Sequence, residues 1–264
     1  MICLMKKALF LFVVTLILVS CGGNQTTTSE EKPEPITYKS VFQKGYSSQA
    51  STIIDTIALG FYWGMTKAQV NNHLRVLTNT KKISRKYGKY WLEMPLTHYG
   101  SEHSIKNYDV KIEPDYYKDT LLSLNLSIPE YGNLTNNDLY INFNAAFSQK
   151  GYLKKVLQPD DLESENKAFC IPESDKIGGR YIIPIISQSK RKDTEYRYVK
   201  NNTLFQIVKY DDLWYSDYNL AYYNLSLLYR KQLDYIDDYI KERTKEAEAN
   251  SAREKQKEDL LNNF

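Results

Sequence analysis

A chain of 264 residues with 42% hydrophobic and 25% charged side chains has the profile of a folded protein, which excludes a disordered tail or a collagen-like fibre. Its 35 Lys+Arg against 32 Asp+Glu give a formal charge of +3, far from the concentrated basic face of a nucleic-acid binder. Loss of residues 1–20, which hold Lys6 and Lys7, would lower that charge by two, to +1.

The chain opens with a short basic stretch, Met1–Lys7, followed by Ala8–Val19, an apolar run of 12 residues broken only by Thr15. A membrane-spanning helix needs about 20 apolar residues, so the run is too short for one. A charged start, a short apolar run and small residues at its end describe a secretory signal. The run ends Leu18-Val19-Ser20-Cys21-Gly22-Gly23, which resembles the lipobox of bacterial lipoproteins. That resemblance implies cleavage between Ser20 and Cys21 and attachment of the mature N-terminus to the bilayer through an acylated Cys21. A multiply acylated cysteine supplies the two or more chains that stable anchoring requires. With Cys3 lost in the signal and Cys21 acylated, Cys170 remains alone in the apolar Ala-Phe-Cys-Ile-Pro, which excludes an intrachain disulfide and reads as a buried, inert thiol. Residues 22–37 are polar and rich in Gly, Thr, Glu and Pro, the composition of a linker. Stretched, these 16 residues reach about 50 Å at ~3.3 Å each.

The folded part predicts an α+β architecture: a capped helix followed by an antiparallel meander, a second copy of that order, and a long C-terminal helix. Thr52–Leu59 reads as a short strand. At Thr66 the helix-start signals converge. Thr66 with Gln69 forms a capping box, Met65 with Val70 a hydrophobic staple, and Val70, Leu74 and Leu77 a helical stripe. After the basic turn Lys81–Lys89, strands are expected over Tyr90–Leu96, Ser104–Ile112 and Thr120–Ile128. In the last of these, Leu122, Leu124, Leu126 and Ile128 share one face by alternation. Asn136–Lys150 reads as a helix closed by Gly151, with Leu139, Phe143, Ala146 and Phe147 inward, although Leu139, Ile141 and Phe143 also fit a period of two. Strands follow over Arg180–Ser187, Thr194–Lys200 and Thr203–Tyr210, the last two joined by an Asn201-Asn202 turn. Leu220–Leu228 is similar to Leu121–Ile128, each containing Asn-Leu-Ser. From about Arg230 the chain predicts a helix with an apolar stripe of Tyr229, Leu233, Ile236 and Ile240. The resulting division is a signal over 1–20, the acylated cysteine and linker over 21–40, an α+β domain over 41–229 whose element order fits two copies at 52–130 and 131–229, and a charged helix over 230–264.

Gly60-Phe-Tyr-Trp-Gly-Met-Thr-Lys-Ala-Gln-Val70 resembles a motif of a broad group of Gram-negative lipoproteins: a glycine, Met-Ser/Thr, two variable residues, Glu/Gln and Val, opening a helix before a meander. The group includes the small outer-membrane-assembly lipoproteins of the SmpA/OmlA type and the β-lactamase-inhibitor-like proteins. The resemblance covers Thr52–Ser127 at its widest. It implies the fold and a non-enzymatic role in binding other proteins, and carries over no functional residue.

Searching for chemistry yields little. His98 and His103 stand four residues apart with Glu102 beside the second, but structural zinc needs further ligands, so they read as exposed loop histidines. His73 reads as a partly buried surface residue. No nucleophile elbow, Walker loop or dinucleotide fingerprint occurs, and neither a catalytic residue nor a metal or cofactor is assigned. The pairs Asp160-Asp161, Asp211-Asp212 and Asp237-Asp238 read as solvated. The unusual feature is 23 tyrosines. Half-buried sheet faces account for them; a binding face with Trp63, Trp91 or Trp214, for protein or for sugar rings, is the functional alternative. The sequence therefore predicts a bilayer-anchored envelope protein, in the outer membrane, that engages an envelope protein or, alternatively, a glycan, and no nucleic acid; an envelope hydrolase is the third reading.

Overall fold

A computed structural model describes residues 36–47, 55–99, 103–129, 134–158, 160, 194–211 and 216–262. These belong to one compact unit that begins at Ile36. Among them are four α-helices and an eight-stranded antiparallel sheet, an α+β fold closed by a long C-terminal helix.

The first half contains α2 (Lys67–Asn79) and the meander β1 (Ser84–Lys86), β2 (Lys89–His98), β3 (Ser104–Tyr117) and β4 (Thr120–Pro129). The second contains α3 (Asn136–Gln149) and β5 (Leu153–Leu157), β6 (Glu195–Lys200), β7 (Thr203–Asp211) and β8 (Ser216–Asn224). The strand order is β1-β2-β3-β4-β8-β7-β6-β5, so the two meanders meet edge to edge through β4 and β8. From that junction each meander runs outward in sequence-reversed order, β4-β3-β2-β1 on one side and β8-β7-β6-β5 on the other. Both helices begin on a capping box, Thr66 with Gln69 and Thr135 with Asp138. Both end on the paired backbone bonds of a Schellman motif, made by Lys81 and Lys82 on α2 and by Gly151 and Tyr152 on α3.

Both helices pack on the same sheet face. Val70, Leu74 and Leu77 of α2 join Val110, Ile112, Leu121 and Leu126 in the main core, as the helical stripe requires. Burial of each such side chain is worth about 1.5–3 kcal/mol. The second half fills the same layer with rings: Phe147 of α3 stacks on Phe205 at 4.2 Å, and Tyr140 on Tyr196 at 4.5 Å. Leu139 and Phe147 are buried, whereas Ala146 is exposed.

Alternation in β4 is interrupted. The β3–β4 register shifts at Asp115/Tyr116, where Tyr116 opposes Leu121 and leaves Leu122 as the extra residue of a bulge. Leu121 therefore joins Leu124, Leu126 and Ile128 in the main core, and Leu122 turns to the opposite face. That face carries a second core. Cross-strand neighbours Leu153, Val199, Leu204 and Tyr223 lie in one row across β5, β6, β7 and β8. Helix α1 (Tyr38–Ser47), whose Tyr38, Phe42 and Tyr46 recur every fourth residue, packs over the row together with Leu225 and Leu228 of α4 (Leu225–Asn262). The expected linker thus gives way to helix from Tyr38.

Three other expectations change. Asp55–Leu59 is no strand: Thr56 makes a single bridge to Tyr62, and Ala58–Gly60 is a 3₁₀ turn with Leu59 at φ 58°. The remainder of that expected strand, and all of Arg180–Ser187, lie outside the described residues. Leu220–Leu228 divides into strand and helix because the Asn224 side chain accepts from the backbone N–H of Leu227, the geometry of an N-cap. Helix α4 therefore starts at Leu225, with Leu225, Leu228, Gln232 and Ile236 buried and Ile240 exposed.

The outer edge of β2 is covered in part. β1 pairs only with Lys89–Trp91, Pro95 offers no N–H, and both backbone groups of Thr97 bond the Asn142 amide of α3, at 3.0 Å and 2.8 Å. Asn142 stands in for a ninth strand. In Asn142→Leu those two groups lose their partners; we expect a loss of about 1–3 kcal/mol in urea unfolding and new concentration-dependent association in light scattering.

Gly45 lets α1 approach the sheet. A Cβ there would stand 2.5 Å from the Asn201 carbonyl oxygen and 3.0 Å from Leu225 Cδ1. Helix propensity alone would make alanine more stable by about 1 kcal/mol. We expect the contact to win: Gly45→Ala should lower stability by about 1–3 kcal/mol in chemical denaturation. A gain would show that α1 is not held this close.

Candidate interaction surface

With one sheet face covered by α2 and α3, and α1 and α4 lying over one row of the other, no described element covers the second face of β1–β3. Alternation puts Lys86 of β1, Lys89, Trp91 and Glu93 of β2, and Asn107, Asp109, Lys111 and Glu113 of β3 on it. Cations and anions interleave: Lys86–Asp109 at 3.7 Å, Lys89–Glu113 at 3.3 Å and Lys111–Glu113 at 3.0 Å. Each pair is solvated and contributes little to stability. Trp91 lies half-buried among them, its indole N–H donating to the Lys86 carbonyl at 3.3 Å. The surface holds exposed charges of both signs around one large ring.

The tryptophans named from the sequence separate. Trp63 is 4% exposed and belongs to the core, which corrects its place on a binding face. Its indole N–H donates to Thr203 Oγ1 at 2.7 Å, and that hydroxyl donates to Asp55 Oδ2 at 3.1 Å, so a buried ring is held by a polar chain across both halves. Trp91 is on the open face. Trp214, Ser20, Cys21 and Cys170 lie outside the described residues. The tyrosines are mostly structural. Tyr198 and Tyr222 pack in the main core, where burial raises both hydroxyl pKa values. Other rings, among them Tyr90, Tyr116, Tyr117, Tyr140 and Tyr239, have a Lys or Arg cation within 6 Å of the ring centre.

Of the histidines, His103 is exposed and His73 donates its Nε2–H to the Leu59 carbonyl oxygen, 2.9 Å away. His98 departs from expectation: it ends β2 and is largely buried, with Nδ1 3.0 Å from Asp138 Oδ2. The carboxylate only accepts, so Nδ1 carries the proton. Asp138 also receives the Tyr99 N–H at 2.9 Å and the Thr135 N–H and hydroxyl, each at 2.9 Å. Burial works to raise its carboxyl pKa, but these donors and His98 prevail and hold it below the ordinary value. The aspartate ties the start of α3 to the end of β2. Among the described residues no three His, Cys, Asp or Glu side chains gather as a metal site, and no helix is long and apolar enough to cross a membrane.

A second polar group escaped the sequence reading. Glu195 and Arg197 of β6 are 0% and 1% exposed; Arg197 Nε and, at 2.5 Å, Gln206 Nε2 both donate to Glu195 Oε1. Alternation with Tyr196 and Tyr198 was the available signal, since it sets both charges on one face of a strand.

The depressed Asp138 carboxyl has a pH consequence. Its contribution is complete above the unfolded carboxyl value of about 3.9 and is lost as pH falls through the lower folded value. Asp138→Asn should therefore cost about 1–2 kcal/mol at pH 7. The gap from the unaltered protein should narrow below pH ~4 in urea titrations; a gap independent of pH would contradict this.

The chain was compared with family models, with curated proteins and with solved structures, and nothing matches in any of the three.

Proposed function

We propose that the protein is a lipid-anchored envelope protein that binds another protein through the open face of β1–β3 and catalyses no reaction. The anchor rests on the order of residues around Cys21: basic start, short apolar run, Ser20, then cysteine. The observation that carries the binding role is the lattice of Lys86, Lys89, Lys111, Asp109 and Glu113 around Trp91. Charges of both signs at fixed spacing select a partner by complementarity, and a half-buried tryptophan supplies the contact area that anchors interfaces. A sugar would instead favour open aromatic faces; the burial of Trp63 removes one ring from such a shelf, and cations lie over several surface tyrosines.

One experiment addresses both parts. A photo-crosslinking amino acid is placed at position 91 in cells, and the membrane fraction is analysed by mass spectrometry. We expect a diacylglyceryl-modified Cys21 peptide and a discrete protein adduct that Lys89→Glu with Lys111→Glu abolishes. An unmodified N-terminus overturns the anchor; crosslinks that ignore the charge reversals, or only glycan adducts, overturn the protein-binding face.

A further inference from the structure

The connection from α2 into the β1–β2 hairpin, Lys81–Lys89, contains five basic residues and no acidic one. All five side chains are exposed. Lys86 and Lys89 face Asp109 and Glu113, but Lys81, Lys82 and Arg85 have no carboxylate within 4 Å among the described residues. Arg85 extends this charge toward α2. It borders a cleft of about 300 Å³ together with Arg75, Tyr90 and the amides of Asn71, Asn72 and Asn79. Two guanidinium groups and three amides are hydrogen-bond donors suited to phosphate oxygens.

Lys81 occupies the left-handed C′ position of the α2 Schellman motif at φ 57°, where the same motif on α3 has Gly151. Six residues further on, in the hairpin turn, Tyr87 sits at φ 53° beside Gly88 at φ 76°, in a turn whose first position favours Asn, Asp or Gly. Tyr87 is 98% exposed, so no packing holds it there. Leu59, Lys118, Asp119 and Asn201 share this backbone region in other turns, so this hairpin is set apart by its unpaired charge, among the described residues, and its exposed ring.

We propose that the β1–β2 hairpin and the adjoining Arg75–Arg85 cleft dock on an anionic phospholipid surface. Lys81, Lys82 and Arg85 meet the surface charge, the cleft receives a headgroup phosphate, and the Tyr87 ring enters the headgroup layer with its hydroxyl toward water. An amphipathic ring at the tip of a cationic hairpin fits a bilayer better than a soluble polyanion, and the near balance of charge over the whole chain supplies no long-range field for nucleic acid. This contact is additional to the acyl anchor and does not require it.

The test uses the full-length protein and co-sedimentation with two vesicle preparations, pure phosphatidylcholine and a mixture containing phosphatidylglycerol. Lys6 and Lys7 also favour the anionic vesicles, so the hairpin's share is read from the change in the ratio of partition constants on substituting hairpin residues, with residues 1–20 left unaltered. We expect the ratio to favour the anionic vesicles. Raising the salt should abolish the preference, and substituting Lys81→Gln, Lys82→Gln and Arg85→Gln together should lower it by roughly fivefold per basic side chain. Tyr87→Gly should relieve the turn and raise thermal stability, yet weaken vesicle binding severalfold. Equal partition to the two preparations in the unaltered protein overturns the proposal without needing any variant. Equal retention of unaltered protein and triple variant also overturns it, as does binding to heparin or DNA with no preference between vesicles. The acylation state of Cys21 is read separately by mass, so a failed anchor and a failed hairpin contact remain distinguishable.

Discussion

Pairing of β4 with β8 governs the molecule. Seven cross-strand pairs, from Ser123 opposite Tyr223 to Pro129 opposite Asp217, join two four-stranded meanders that are otherwise separate in sequence. The pairs Leu124–Tyr222, Leu126–Leu220 and Ile128–Tyr218 all project into the main core. Because the junction is antiparallel, it also fixes where the helices go. Residues of α2 and α3 both join the main core, so the two helices contribute to one continuous hydrophobic layer. A small sheet with one helix buries too little surface to be secure; joining two shares the burial.

The halves then diverge by side-chain choice within a common frame. Aliphatic side chains with Phe61 meet α2, and stacked rings meet α3. The reverse face is divided unequally: α1 and the first turns of α4 cover the row through Leu153, Val199, Leu204 and Tyr223, and β1–β3 are left uncovered. This asymmetry, and not the repeated frame, creates the charged surface around Trp91. Antiparallel sheets can keep one solvated face, so the fold pays nothing for retaining it.

Local features were legible in the sequence and distant ones were not. The start of α2 could be read because Thr66, Gln69, Met65 and Val70 act within one turn and the physics is complete there. The meander β2–β4 followed from alternation, up to the bulge at Leu122, which depends on the register of a neighbouring strand. β5 was missed: Leu153-Lys-Lys-Val-Leu157 is a short edge strand with lysines in the middle, as edges tend to be, and it has little apolar signal. Helix α1 was missed although Tyr38, Phe42 and Tyr46 recur at helical spacing, because Gly45 and the polar residues between them resemble a linker until the Asn201 carbonyl against which Gly45 packs is known. The Asp138–His98 contact spans 40 residues and leaves no local trace beyond the cap itself.

Asn224 is at once the last residue of β8 and the N-cap of α4, with no loop between them. Asn202 braces the junction: its amide donates to Asn224 Oδ1 at 2.8 Å, and its own oxygen accepts from the Ser226 N–H at 2.8 Å. Beyond Tyr239 every described residue of α4 is exposed, a stretch of some 34 Å at ~1.5 Å per residue. The result is a cantilever rooted in a central strand. Torque applied along its exposed length is delivered to the hydrogen-bond ladder between the two halves, with no loop between β8 and α4 to absorb it.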